Sequence, residues 1–387
     1  MAENIYKEIG SSGLEHWSGF ITAAYNTKLT WPSVQPLYSR LRRSDPEIAM
    51  IRMIFNALIS SVEFVWELQT EDPTDDDLRA QEFGQEALEE LNGGPDKLLS
   101  EVISNVPFFG WGWWEMLWGL RKEGWKAPDE YDEWQSKYND GLLVPRRLAF
   151  RDSSSFHKWD MTEQGRVLGM VQQTDIGKQI TLPIEKSLHV TFGDPNNPEG
   201  LSPLEAVWRL ERIKYGLEVV QGIGFEHSAG YLNVMVDGEL TISDKNAIKR
   251  AAKSIMAAQE SNYAAWPGKV TTAEIMDAPF QAGPAILDAI KYYGILKLTV
   301  FIMQWMTLSS VTGSGSYSAM QDSSTMFVLA FNAMLDGFAN QIDQQYGKRL
   351  FDVNKAAFPN LTTRPRLKVT PIEKSVDLNS LSQFADV

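Results

Sequence analysis

Ser202-Pro203-Leu204-Glu205 is the tightest constraint in this chain: a hydroxyl cap, a proline at the first helical position and an acid three residues after the cap together start a helix. Val207, Leu210, Ile213, Leu217 and Val220 continue it as one apolar stripe, with Glu205/Arg209 and Lys214/Glu218 as oppositely charged pairs four apart. Run to His227, this helix has about 25 residues and a length of about 37 Å. Such a rod suits a strut better than a pocket wall. A compact insert follows. Tyr231 to Val236 reads as a strand, Asp237-Gly238 as a tight turn, Ser243 as the cap of a helix with Ile248, Ala252 and Ile255 inward, and Val270 to Ile275 as a returning strand. From Pro284 a second long helix carries Ile286, Ile290, Tyr293 and Leu296 toward Trp305. Its stretch from Leu298 to Met303 is apolar all round but bounded by Lys297 and Gln304, which predicts a buried or subunit-facing helix and no membrane span.

The flanking regions supply the rest. Asp45-Pro46-Glu47 starts a helix, and Ile48, Ile51, Phe55, Leu58, Val62 and Trp66 follow at helical steps. Residues 71–77 read as a solvated acidic loop, 78–91 as a helix stopped by Asn92-Gly93-Gly94-Pro95, and 97–106 as another. Glu63 to Glu101 holds thirteen acids against only Arg79 and Lys97, which predicts a strongly negative surface. Short strands are expected at 166–174, 179–182 and 188–192, then an exposed loop over Gly193–Gly200. Ser309 to Ser318 is polar, uncharged and rich in Gly and Ser, as flexible segments are. A third long helix bearing Phe327, Phe331, Met334, Phe338, Ile342 and Tyr346 runs toward Leu350, and 367–370 reads as a strand. The fold class is α+β, and 387 residues suggest two or three structural units without internal repeats.

Chemistry is harder to find. With no Cys and only His16, His157, His189 and His227, far apart in sequence, a metal site has almost no support and no cofactor is indicated. Gly110-Trp111-Gly112 lacks the third glycine of a dinucleotide loop, and Gly313-Ser314-Gly315-Ser316 is not a nucleophile elbow. His189, between Leu188 and Val190, reads as a core or hydrogen-bonded residue. No residue takes a catalytic role, and the chain reads as a non-enzyme. The N-terminal residues lack the basic-then-apolar order of a signal peptide. A net charge of −14 repels phosphate backbones, so any DNA partner is not gripped. Five of the thirteen tryptophans fall at Trp111, Trp113, Trp114, Trp118 and Trp125; they read as packing, with a sugar or base platform as the other reading. Lys245, Lys249 and Lys253 line one helix face with Arg250 nearby, either a solvated face or a contact to an acidic partner, a neighbouring subunit or DNA.

The order of segments resembles the portal proteins of tailed bacteriophages, nearest to their Mu-like branch. The matching segments are Asp45 to Trp66, Phe108-Phe109-Gly110-Trp111 to Trp118, Gly200-Leu201-Ser202-Pro203-Leu204, and Gly313-Ser314-Gly315-Ser316-Tyr317-Ser318 before the last helix. The resemblance implies a portal architecture: wing over 1–200, stem helix over 201–227, clip over 228–283, second stem helix over 284–308, tunnel loop over 309–318, and a long helix with the wing or crown return over 319–387. It implies a homo-oligomeric ring of about twelve copies at a capsid vertex. Double-stranded DNA would pass through its channel beside Ser309, Ser310, Thr312, Gly313, Ser314, Gly315, Ser316 and Tyr317. The implied partners are the terminase large subunit, a head-tail connector or adaptor and the major capsid protein, with Lys245, Lys249, Arg250 and Lys253 as a clip contact. No membrane is involved; the place is the virion, and the host cytoplasm during assembly. The alternative is a Trp-rich carbohydrate-active enzyme or sugar-binding module, and a further one is another ring-forming virion protein such as a head-tail adaptor.

Overall fold

The computed structural model describes residues 10–22, 26–128, 132–228, 231–257, 270–276, 280–304, 306 and 317–372. The chain divides into two units, one of Met1–Arg209 with Ile295–Val387 and one of Leu210–Gly294.

In the larger unit, β1 (His16–Trp17) pairs antiparallel with β2 (Phe20–Ile21), and α1 (Gln35–Ser44) meets α2 (Pro46–Ile59) at Asp45, whose Oδ1 accepts from the Ile48 N–H as an N-cap. Ile48, Ile51, Phe55 and Leu58 are buried as the spacing predicts. The helix stops at Ile59, however, and Trp66 belongs to a strand, β3 (Phe64–Glu67). Apolar residues that continue the helical period by chance produce that mismatch. α3 (Asp75–Glu89) begins inside the acidic run that was expected to be a solvated loop. Thr74 and Asp77 form a reciprocal capping box, and Asp76 and Asp77 are buried. Asp76 accepts from the Asn360 N–H, and Asp77 from the Thr362 N–H and hydroxyl. Burial alone pushes the Asp77 carboxyl up, but the donors of Thr74 and Thr362 outweigh it and hold it below the usual carboxylate range.

The expected acidic surface is thinner for a second reason. Glu86 and Glu90, with Asp140, accept from the fully buried Arg121 at 2.7, 2.8 and 3.1 Å, and its guanidinium lies 4.2 Å from the Tyr138 ring centre.

α4 (Gly94–Phe109) ends at Gly110, φ 88°, and β4 (Trp111–Leu120) follows as the centre of the sheet β5–β4–β9, with β5 at Leu143–Arg151 and β9 at Ser187–Thr191. Trp111, Trp113 and Trp114 are at most 1% exposed, which settles these three in favour of packing. A second sheet runs β6 (Phe156–Met161), β7 (Val167–Gln173), β8 (Gln179–Pro183), all antiparallel. The last strand, β12 (Arg366–Val369), pairs antiparallel with β3.

β9 is an edge, and a helix covers it. The last long helix, Tyr317–Ile342, runs into a π-helical turn, Asp343–Gly347, and then Lys348–Val353. Gln341 exchanges two hydrogen bonds with the Thr191 backbone at 2.8 and 2.9 Å, Gln345 does the same with His189, and Arg349 donates to the Ser187 and Ile184 carbonyls. Four helical residues rise about 6 Å and two strand residues about 6.6 Å, so residues 341, 345 and 349 keep step with 191, 189 and 187. The helix side chains thus stand in for a missing strand.

In the smaller unit, helix α5 (Leu204–Ser228) brings the chain in and α7 (Gly283–Val300) leads it out; between them lie β10 (Tyr231–Val236), α6 (Ile242–Ala257) and β11 (Val270–Met276). β10 and β11 pair antiparallel. The cap of α6 is Thr241, whose hydroxyl accepts from the Asp244 N–H, and not Ser243. A Cβ on Gly224 would stand 2.3 Å from the Phe280 ring, so the glycine lets that ring pack on α5.

Candidate functional site

The basic residues of α6 stand where the periodicity put them. Lys245, Lys249 and Arg250 are exposed, and Arg250 Nε donates to the Asn246 carbonyl at 3.3 Å. Lys253 lies on the same helix, with its side chain outside the described residues. Exposed lysines four apart offer several long-reach ammonium groups to one anionic surface, with little conformational cost until they bind. Apolar residues of this unit are left exposed as well: Tyr215, Val219, Val220, Ile223, Phe225 and Tyr292 are each more than 40% exposed. A row of this kind marks an interaction surface more often than a finished one.

Of the Gly/Ser segment, 307–316 lies outside the described residues, which takes in Ser309, Ser310, Thr312, Gly313, Ser314, Gly315 and Ser316. Tyr317 is the first residue of the following helix. Both flanks are fixed by one aromatic cluster. Before the segment, Phe301 stacks on Phe108 with centroids 5.9 Å apart and meets Phe55 edge-on at 6.3 Å; after it, Phe331 meets Phe55 at 5.0 Å and Phe327 meets it at 6.4 Å. Only the phenylalanine steps of the last helix were legible in the sequence; that they share a partner with Phe301 was not.

α7 also ends earlier than the periodicity predicts, at Val300 and not Trp305. Ile302 takes φ 58°, its N–H donates to the Thr299 carbonyl, and the Met303 N–H donates to the Leu298 carbonyl. This is a Schellman stop in which the left-handed position, normally glycine, is held by a β-branched residue at a cost of about 1–2 kcal/mol. Leu298 and Met303, the positions whose apolar side chains accompany such a stop, are both buried. Just before the stop, Lys297 is fully buried with Nζ 2.5 Å from Asp45 Oδ2 and 3.5 Å from Glu47 Oε2, fastening this helix to the α1–α2 corner.

One of the four histidines is packed among aromatic rings. His189 lies among Trp111, Trp113 and Trp159, and its Nε2 faces the Pro198 carbonyl at 2.9 Å. Burial lowers its pKa to about 4, only partly countered by that carbonyl, so the ring is neutral and Nε2–H donates. Among the described residues no group of three or more His, Asp or Glu could hold a metal ion, and no helix is long and apolar enough to cross a membrane.

Comparison with solved structures gives the fold. The fold is similar to that of a chain in the virion of the native gene transfer agent (GTA) particle, with TM-score 0.53 and 11% identity over 92% of this chain and 88% of that one. It is also similar to a chain in the neck of the native GTA particle computed with C12 symmetry, with TM-score 0.51 and 11% identity over 90% and 86%. An HK97 family phage portal protein from Corynebacterium diphtheriae aligns with TM-score 0.46 and 9% identity over 84% and 92%. None of the curated protein sequences matches. The family model described as the portal protein of Mu bacteriophage matches residues 35–386, and the chain belongs to that family.

Proposed function

We propose that this chain is the subunit of a portal ring in a phage or phage-like particle, a structural conduit through which DNA is packaged and later ejected, with no catalytic step of its own. The observation that carries this reading is the family match over residues 35–386, read together with the apolar rows that α5 and α7 leave exposed on a single chain. The twelvefold symmetry imposed on the neck of the native GTA particle supports twelve copies. In this reading 1–200 and 319–387 form the wing and its return, 201–227 and 284–308 the stem, 228–283 the clip and 309–318 the tunnel loop. The ring sits at one vertex of the virion, against the major capsid protein, after assembly in the host cytoplasm. The clip docks the terminase large subunit and later a head-tail connector. An uncharged Ser/Gly segment touches a moving polyanion without trapping it, and the acidic subunits around it repel phosphate within a Debye length of about 8–10 Å. Electron microscopy of the purified protein tests the ring directly. Rings of several hundred kilodaltons are expected, and a monomer of 43.6 kDa at micromolar concentration overturns the reading.

Two variants test the assignments. Deleting residues 310–318 leaves ring assembly intact, because Phe301, Phe327 and Phe331 lie outside the deletion, but lowers DNA packaging or retention at least tenfold. Loss of the rings themselves would refute the loop assignment. Reversing Lys245, Lys249 and Lys253 to Glu weakens terminase or connector docking in a pull-down while leaving the ring unchanged. Undiminished docking returns that face to plain solvation.

A further inference from the structure

A cavity of about 230 Å³ in the larger unit belongs to none of these assignments. Its walls are Trp31, Tyr38 and Phe109, over Ile21 and Leu29. The aromatic wall is braced from behind, since Trp31 packs on Trp111 at 5.1 Å and on Phe156 at 5.9 Å between centroids. The polar lining is of two kinds. Asn197 and Ser202 are engaged in local structure: Asn197 Oδ1 accepts from the Glu199 N–H, and Ser202 Oγ donates to the Phe108 carbonyl and accepts from the Leu204 N–H. The carboxylates of Glu199 and Glu205 are not so engaged.

Glu199 receives only a long bond from Trp159 Nε1, at 3.3 Å, and Glu205 makes neither the reciprocal bond of a capping box nor an ion pair with Arg209 among the described residues. Among the described residues no lysine, arginine or histidine lines the cavity. Arg42 stands over one of the rings, its guanidinium 5.3 Å from the Phe109 ring centre, and it donates to Asn105.

Two carboxylates that no cation pairs among the described residues, beside aromatic rings with their negative quadrupoles, form a receptor for positive charge. The size restricts it to one small group. We propose that this cavity binds a single organic cation, an alkylammonium or alkylguanidinium group, held between Trp31, Tyr38 and Phe109 and paired with Glu199 and Glu205. The source is either a Lys or Arg side chain of a neighbouring copy or a free amine. The inference does not rest on the portal reading. Burial pushes the Glu199 carboxyl up to about 8, the indole N–H only partly opposing it, and burial also raises Glu205, so a paired cation would lower both.

The test is calorimetric titration of the full chain with n-butylammonium, with n-butanol as the uncharged isostere. Size exclusion first separates assembled from dissociated protein. The expected result is saturable binding of the amine and none of the alcohol. Glu199→Gln keeps the side-chain volume and weakens amine binding at least tenfold; Glu205→Gln weakens it less. Among the described residues the titratable groups lining the cavity are Glu199, Glu205 and Tyr38, so affinity rises between pH 6 and 8 as Glu199 gives up its proton more readily. If both species bind the amine, the occupant is a free amine. If only dissociated protein binds it, or if Glu199→Gln lowers the assembled fraction, the occupant is a neighbour's side chain. A cavity that treats amine and alcohol alike in every species, with assembly unchanged in Glu199→Gln, is a solvated recess and overturns the proposal.

Discussion

Lys297→Met lowers the stability of the full chain by about 3–5 kcal/mol, read as a shifted urea midpoint, because it strands a buried carboxylate. Lys297 and Asp45 are both fully buried by side chain, 2.5 Å apart, and methionine keeps most of the lysine stem. What disappears is the charge that compensates Asp45. The carboxylate cannot turn to water without giving up the Ile48 N–H that starts α2. The double variant Lys297→Met/Asp45→Asn recovers most of the loss, since an amide oxygen still caps the helix and neither charge remains. A single variant that costs less than about 1 kcal/mol would mean that solvent reaches the pair, as it does at surface ion pairs.

Gly200→Ala is the second large effect, on the order of 4 kcal/mol, and it measures backbone approach in place of charge. Gly200 sits at φ 57°, and a Cβ there would stand 2.1 Å from the Gly110 carbonyl oxygen and 2.6 Å from that of Phe192. Gly110, at φ 88°, is caught reciprocally, with the Glu199 carbonyl oxygen 2.4 Å from where its own Cβ would be. Neither segment can retreat cheaply, because the Phe192 N–H donates to the Gly110 carbonyl at 2.8 Å and the Leu201 N–H to the Phe192 carbonyl at 2.7 Å. Gly177→Ala is the control. It has a similar φ of 78° but open space around it, so only the left-handed backbone is penalised, by about 1–2 kcal/mol. Equal melting temperatures for the two variants would show that the crossing at Gly110 and Gly200 yields.

Much of the element order was legible. The start of α5, both strands of the smaller unit, the turn at Gly177 and the strand pattern of 166–192 follow from caps, periods and turn residues, which act over a few neighbours. The candidate site was legible only in part. The lysine stripe of α6 followed from four-residue spacing, whereas the clamp of Phe55, Phe108, Phe301, Phe327 and Phe331 needs three separate helices and the stop after α7 to meet. The acidic run misled for a related reason: Asp76 and Asp77 look like solvated turn residues until Asn360 and Thr362 arrive to donate to them.

By itself the sequence determined where most helices and strands begin, the polar character of the segment before the last helix, and the family to which the chain belongs. Those depend on local propensity and on the order of segments along one dimension. The tertiary structure alone decided that Ile302 would end a helix without glycine, that Gln341 and Gln345 would complete a sheet edge, and that Glu199 and Glu205 would line an aromatic cavity. Each of these is a meeting of backbones or side chains distant in sequence, fixed by which surfaces the packed core brings within a few ångströms.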